Sequence, residues 1–153
     1  MIYVVDNFLD TASADMLLSH FTKHCHKASS YENTFTLDVN NKNIKLIDFC
    51  ISEVTKICND LEDNKVICSL AQIVKWPEGS NKLDHVDPSD DVFAAVIFLN
   101  DDFDGGETAF ETGEIQPSKG ECLIFKNGQL KHSVKTVKNG HRYTLSMWFK
   151  KDT

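Results

Sequence analysis

The sequence predicts a mainly β domain, an antiparallel barrel or jelly roll backed by N-terminal α-helices. Three observations carry that expectation. Two amphipathic helical stretches lie ahead of residue 65. After it, short β-rich segments alternate with turns, and helices followed by many strands place a helical layer on an antiparallel sheet. The last of these segments, Arg142-Tyr143-Thr144-Leu145-Ser146-Met147-Trp148-Phe149, alternates between a polar and an apolar set. At 153 residues the chain suits one domain spanning 1–153, with 1–65 as helical support and 66–153 as the barrel core.

Taken in order, Ile2 to Val5 reads as a short strand. Thr11 and Ser13 are N-cap candidates for a helix running to about Lys23, with Met16, Leu17 and Phe21 as its apolar stripe. Residues 28–43 read as a polar, irregular loop broken by a strand at Thr34 to Leu37. From Ile44 to Leu61, the residues Ile44, Ile47, Ile51, Val54 and Cys58 recur at helical spacing. Leu46, Phe49, Cys50 and Ile57 widen that face, which needs a sheet to cover. Strands follow at 66–76, 92–99, 107–111, 121–126, 132–137 and 142–150. Asp104-Gly105-Gly106, Asn127-Gly128 and Asn139-Gly140 mark breaks between them. In the last strand Tyr143, Leu145, Met147 and Phe149 form the side that packs on the helices. Arg142, Thr144, Ser146 and Trp148 then point inward, and a polar row at the centre of a small domain fits a barrel that encloses a ligand.

The composition narrows the choices. A formal net charge of -7 excludes a general phosphate-backbone binder. No apolar run approaches a membrane span. Met1 to Asp6 has no basic n-region, so a cytoplasmic protein is expected. The five cysteines, Cys25, Cys50, Cys58, Cys68 and Cys122, are odd in number and contain no C-x-x-C pair. They form neither a disulfide framework nor a zinc ribbon and read as buried free thiols.

His85-Val86-Asp87, then His132, then Arg142 is the most informative pattern in the chain. On an extended segment, residues i and i+2 project to one side, so His85 and Asp87 can reach one ion. His132 opens a separate strand and comes from across the barrel. Two imidazoles and one carboxylate are the donor set of a facial iron(II) triad, for which Mn(II), Co(II) or Ni(II) can substitute. Arg142 suits a small dicarboxylate bound beside that metal. An H-x-D pair alone is weak, because a loop histidine beside a capping aspartate is common; its conjunction with His132 and Arg142 gives it weight. Other groups rank lower. Gly105-Gly106 reads as a hairpin turn that brings Glu107 and Thr108 near the centre. His20, His24 and His26 read as solvent-facing rather than as a second metal site. Of Asp84, Asp87, Asp90 and Asp91, only Asp87 reads as a ligand. In the long 28–43 loop, Tyr31, Glu32, Asn33 and Asp38 are candidates for touching a substrate.

From about Gln72 onward the chain resembles the prolyl 4-hydroxylase branch of the Fe(II)- and 2-oxoglutarate-dependent dioxygenases. The resemblance rests on Trp76-Pro77-Glu78-Gly79, His85-Val86-Asp87, Ile97-Phe98-Leu99-Asn100, Phe103-Asp104-Gly105-Gly106-Glu107-Thr108, His132-Ser133-Val134 and the segment from Arg142 to Phe149. It implies a double-stranded β-helix, a cupin-like jelly roll. It implies Fe(II) held by His85, Asp87 and His132, and 2-oxoglutarate held by Arg142 with help from Thr144. Trp76, Phe98, Val134 and Trp148 would line the cofactor pocket. The implied reaction couples O2 and the decarboxylation of 2-oxoglutarate to succinate with hydroxylation of an unactivated C–H bond, ascorbate serving as a supporting reductant. Phe98, Lys82 and Trp76 each stand where relatives have tyrosine; these departures bear on 2-oxoglutarate affinity and substrate choice, not on the metal ligands.

The leading expectation is therefore hydroxylation of a prolyl residue in a peptide or protein, with no nucleic-acid or membrane partner. A hydroxylase of a free amino acid or small metabolite is the alternative on the same scaffold. Nucleic-acid demethylation is disfavoured by the net charge and by Trp148, which stands where that related family repeats an arginine. A catalytically silent cupin-like binding module has no need of all four polar residues.

Overall fold

The computed structural model describes residues 1–62, 65–87, 90–128 and 130–153. The chain opens with β1 (Ile2–Val5) and α1 (Thr11–His24), followed by a 3₁₀ turn at Cys25–Lys27. A hairpin of β2 (Ser29–Tyr31) and β3 (Thr34–Asp38) leads into α2 (Lys45–Leu61). Ten strands follow: β4 (Val66–Trp76), β5 (Lys82–His85), β6 (Asp91–Phe98), β7 (Asp104–Gly105), β8 (Thr108–Phe110), β9 (Gly113–Ile115), β10 (Cys122–Lys126), β11 (His132–Val134), β12 (Val137–Lys138) and β13 (Arg142–Lys151).

A seven-stranded sheet runs β1-β10-β6-β13-β4-β3-β2, and a four-stranded sheet runs β5-β11-β8-β9. The pairings in both are antiparallel. The short β7 and β12 pair with each other beside them. The small sheet lies over one face of the large one, where Phe110 of β8 and His132 of β11 pack against Phe125 of β10. This is the jelly roll that the helix-then-strand order predicts.

The alternation in β13 sorts the two sides of the large sheet. Leu145, Met147 and Phe149 face the helices and join Leu17 and Phe21 of α1 with Ile47, Cys50, Val54 and Cys58 of α2 in the main core. Cys122 belongs to that core too, so the fully buried sulfur atoms of Cys50, Cys58, Cys122 and Met147 all lie on the helix side. Burial pushes the Cys50 and Cys58 thiols up to about 12, and Cys122 higher still. On the other face, Arg142, Thr144 and Ser146 are buried and polar.

Several local expectations need correction. The N-cap of α1 is Asp10, whose carboxylate accepts the Ser13 N–H at 2.8 Å; neither Thr11 nor Ser13 caps it. Met16 and Phe49 are exposed, and Ala14 takes the place of Met16 in the buried stripe. Within residues 28–43 the strand expected at Thr34 to Leu37 is β3, but the stretch before it is not irregular: it forms β2, and the hairpin continues the large sheet beyond β4. The first 65 residues thus add three strands to the barrel as well as helices. Gly105 is not in a hairpin turn: it sits in β7 opposite Val137, and a Cβ there would collide with the Thr136 carbonyl oxygen. Among the described residues, no helix is long and apolar enough to cross a membrane.

Leu145 is fully buried between the sheet and both helices. Leu145→Ala is expected to destabilise the domain by about 3 kcal/mol, read from the urea midpoint at unchanged slope.

Candidate metal centre

His85, Asp87 and His132 converge as their spacing predicts. One ligand atom from each lies within 4.8 Å of the others. His85 ends β5 and faces His132 across the β5–β11 pair. The pairing slips between His132 and Val134, so β5 carries an extra residue there. Such a bulge re-aims the side chains beside it, and it sets the His85 ring 4.2 Å from the His132 ring. Asp87 follows just past the strand end.

Each imidazole is tethered from behind. The Nδ1 of His85 lies 2.9 Å from the Leu83 carbonyl oxygen, and that of His132 lies 3.1 Å from the Leu130 carbonyl oxygen. A carbonyl only accepts, so Nδ1 carries a hydrogen and Nε2 is the nitrogen left to ligate a metal once the proton it shares with Asp87 is lost. Both Nε2 atoms point at Asp87 Oδ1, at 3.2 and 3.4 Å. The second carboxylate oxygen is taken by the indole N–H of Trp148, which donates to Oδ2 at 3.1 Å. Asp87 therefore turns one oxygen toward the two imidazoles and has the other fixed by protein. Phe125 closes one side of the triad, its ring 4.7 Å from that of His132.

The charges in this cluster lean on one another. Burial pushes the Asp87 carboxyl up, but hydrogen bonds from His132 and His85 outweigh it and hold the group well below the usual carboxylate range. The same hydrogen bond raises the His85 imidazole above its ordinary 6.5, against the opposing effect of burial.

Arg142 starts β13 and is only 2 % exposed. Its Nε donates to the Gly106 carbonyl oxygen at 3.0 Å and its Nη2 to the Thr108 hydroxyl at 3.1 Å. The guanidinium carbon lies 5.0 Å from the Trp76 ring centre and 5.5 Å from that of Phe98. None of the ion pairs among the described residues involves it. Burial pulls the group down to about 9, still cationic at neutral pH. Gly106 is required here: its φ is +68°, and an added Cβ would sit 2.8 Å from Phe103 and 3.1 Å from the Arg142 stem. Thr144 is fully buried two residues along, with its hydroxyl 3.0 Å from that of Ser146. The indole N–H of Trp76 is buried and has no hydrogen-bond partner among the described residues.

The remaining candidates are placed as follows. Val134 is buried beside His132 on β11. Trp148 does more than wall a pocket, since it holds the aspartate. Gly106 and Thr108 grip Arg142, a role the sequence reading missed; the period-2 alternation of β8, with Thr108 and Phe110 on one face, was the available signal. His20 and His24 stack on α1, the His24 ring hydrogen-bonded to its own helix, and no other metal-type cluster occurs among the described residues. Tyr31 and Glu32, at the β2–β3 turn, meet Lys82 of β5: Glu32 pairs with it at 2.8 Å and the Tyr31 ring lies beneath it. Asn33 is exposed at the same turn, and Asp38 accepts a hydrogen bond from Gln72 at 2.7 Å.

Two predictions follow from this geometry. Trp148→Phe keeps the ring and removes the donor to Asp87, and it is expected to weaken Mn(II) binding about tenfold by calorimetric titration. Metal must also displace the proton held between His85 and Asp87, so affinity is expected to fall as pH drops through the raised His85 value and to recover above it. Metal-free protein shows the opposite sign: the His85 contribution to stability is complete below about 6.5 and is lost as pH rises past the folded-state value. Titrations and melts between pH 5.5 and about 8.5 check both signs.

Comparison with known proteins adds to these observations. Residues 71–150, just over half of the chain, match the 2OG-Fe(II) oxygenase superfamily. Prolyl 3-hydroxylase 2 of Mus musculus is 37% identical over 68 residues, covering 39% of this chain and 10% of that protein. Prolyl 3-hydroxylase 1 of Homo sapiens shows the same identity and covers 9% of its own length. The chain thus spans about a tenth of the length of the curated relatives it matches. The structure of a viral collagen prolyl hydroxylase from Paramecium Bursaria Chlorella virus-1 superposes with a TM-score of 0.85 at 19% identity, covering 99% of this chain and 96% of that one. A prolyl hydroxylase from Trichoplax adhaerens, in complex with a hypoxia inducible factor peptide fragment, gives 0.84 at 16% identity over 97% and 83%. At such identities these neighbours establish a shared fold, the double-stranded β-helix.

Proposed function

Since the chain belongs to the 2OG-Fe(II) oxygenase superfamily, we propose that it is a 2-oxoglutarate-dependent prolyl hydroxylase of peptides or proteins, with His85, Asp87 and His132 as its iron ligands. The observation that carries this reading is Arg142, a buried cation whose hydrogen-bond partners among the described residues are neutral oxygens, on the face of the large sheet that the His-Asp-His triad meets from the small one. A charge in that position calls for an anion. The prolyl assignment draws on the relatives named above, which match this chain along its β core.

The residues present fit both groups. Two imidazole nitrogens and one carboxylate oxygen suit Fe(II) and leave coordination positions open. Arg142 suits the distal carboxylate of 2-oxoglutarate, for which a planar guanidinium offers paired donors. Thr144 adds a hydroxyl on the same face. Phe98 has no hydroxyl to offer, and the unpartnered N–H of Trp76 supplies a donor in its place.

Iron and 2-oxoglutarate, when bound, supply the oxidising power: O2 is divided between succinate, formed with loss of CO2, and the hydroxyl placed on the substrate carbon. The protein's own part is positioning. The carbonyl tethers fix both imidazoles in the ligating tautomer, Trp148 limits Asp87 to one ligating oxygen, and Gly106 and Thr108 hold Arg142 at a set depth. Phe98, Phe125 and Trp76 line the space between with apolar surface, which excludes water and strengthens every charged contact there.

The test is an anaerobic spectrum of Fe(II)-loaded protein with 2-oxoglutarate. The charge-transfer band of the chelated keto acid is expected in wild type and absent in His132→Ala. Arg142→Met is expected to keep its metal but to need at least about tenfold more 2-oxoglutarate for the same band. Aerobic incubation with proline-containing peptides should then add one oxygen atom to a prolyl residue. Metal binding with no band would sink the 2-oxoglutarate assignment, and a band without prolyl oxidation would move the substrate elsewhere.

A further inference from the structure

The concave face of the large sheet continues past the metal centre. Register sets Ser146 opposite Gln72 and Gln72 opposite Asp38, so these three form a row across β13, β4 and β3. Ser146 is the neighbour of Trp148 on that face, and Trp148 holds Asp87. The row therefore begins beneath the triad and runs outward. Burial falls along it: Ser146 is buried, Gln72 is half-buried and Asp38 is exposed. The amide of Gln72 donates to Asp38 Oδ1 and fixes the carboxylate, and no ion pair among the described residues neutralises it. Lys82, which meets the tip of the β2–β3 hairpin, is already paired with Glu32. Tyr31 stands at the outer edge of the same face, with an exposed ring.

We propose that this open flank is a substrate shelf for an extended peptide bearing a lysine or arginine about three residues from the oxidised residue, with Asp38 receiving the cation. The proposal rests on the prolyl hydroxylase reading and adds the recognition element to it. The spacing follows from the sheet. Two strand separations amount to roughly 10 Å, and an extended peptide advances about 3.3 Å per residue. The charge of the occupant follows from Asp38, a fixed and unneutralised carboxylate at the outer end of the row. A rim contact of this kind raises selectivity modestly and is sensitive to salt.

The experiment uses the Fe(II)-loaded enzyme with 2-oxoglutarate and two peptides of alternating proline and alanine, one carrying lysine and the other glutamate three residues from a central proline. Prolyl oxidation is read by mass spectrometry, and 2-oxoglutarate consumption is followed in parallel. Wild type is expected to favour the lysine peptide about fivefold in kcat/KM at low salt, with the margin shrinking in 0.5 M NaCl. Asp38→Asn is expected to erase the preference and Asp38→Lys to reverse it, each checked for folding by circular dichroism. Equal oxidation of both peptides by wild type overturns the shelf and leaves the prolyl reading standing. If neither peptide is oxidised while 2-oxoglutarate is still consumed, the prolyl reading and the shelf fall together.

Discussion

Arg142 is shut away from water in the middle of the domain and takes part in none of the ion pairs among the described residues. A charge in that position loses several kcal/mol of hydration, and neutral hydrogen-bond partners recover only part of it. The surroundings are arranged to make the burial tolerable. Aromatic faces flank the guanidinium, a glycine lets its stem approach the backbone, and a carbonyl and a hydroxyl take two of its nitrogens. Those partners come from β4, β6, β8 and the link that precedes β8, so the cation can be seated only once both sheets have come together. What is left unmet is a negative charge, and a dicarboxylate brings one.

The metal triad depends on the same closure. His85 and His132 belong to strands separated by some forty-five residues of chain yet lie directly opposite in one pair. Their third companion is held by an indole from the other sheet. The triad is therefore a joint between sheets rather than a property of either, and its fourth member, Trp148, is as much a part of the geometry as the ligands are. Loss of that indole leaves Asp87 free to rotate or to chelate through both oxygens, which changes how many positions remain for substrates.

Much of this was legible in the sequence because two signals are strictly local. Alternation along β13 separated the helix-facing row from the polar row, and the His85-Val86-Asp87 spacing put two donors on one side. The structure brings both patterns to one centre. Other features escaped because they depend on partners distant in sequence. β2 is polar and short, so its exposed residues carry no apolar period, and it becomes a strand only by pairing with the expected strand β3, which itself adds to β4. Gly105 and Gly106 looked like a turn because glycine pairs usually make one; here close approach of the Thr136 carbonyl and of Arg142 demands them. Asp10 was passed over as a cap because Thr11 and Ser13 carry the same preference, and only backbone geometry distinguishes three candidates within four residues.

The large sheet also works as a partition. Its helix side holds every fully buried sulfur atom, those of Cys50, Cys58, Cys122 and Met147. Its concave side, where the chemistry is proposed, presents no sulfur: hydroxyls, amides, aliphatic groups, aromatic rings and the Arg142 guanidinium surround the triad. Thiols and thioethers are the side chains most readily lost to oxidation, and here a full layer of hydrogen-bonded backbone stands between the buried ones and the triad. Phe125 and Trp148 stand against the triad itself. The raised thiol values on the far side keep those sulfurs protonated and slow to react. Of the five cysteines, expected to be buried, Cys25 is exposed and Cys68 half-buried, but the three in the core lie where oxygen chemistry on the concave face does not reach them.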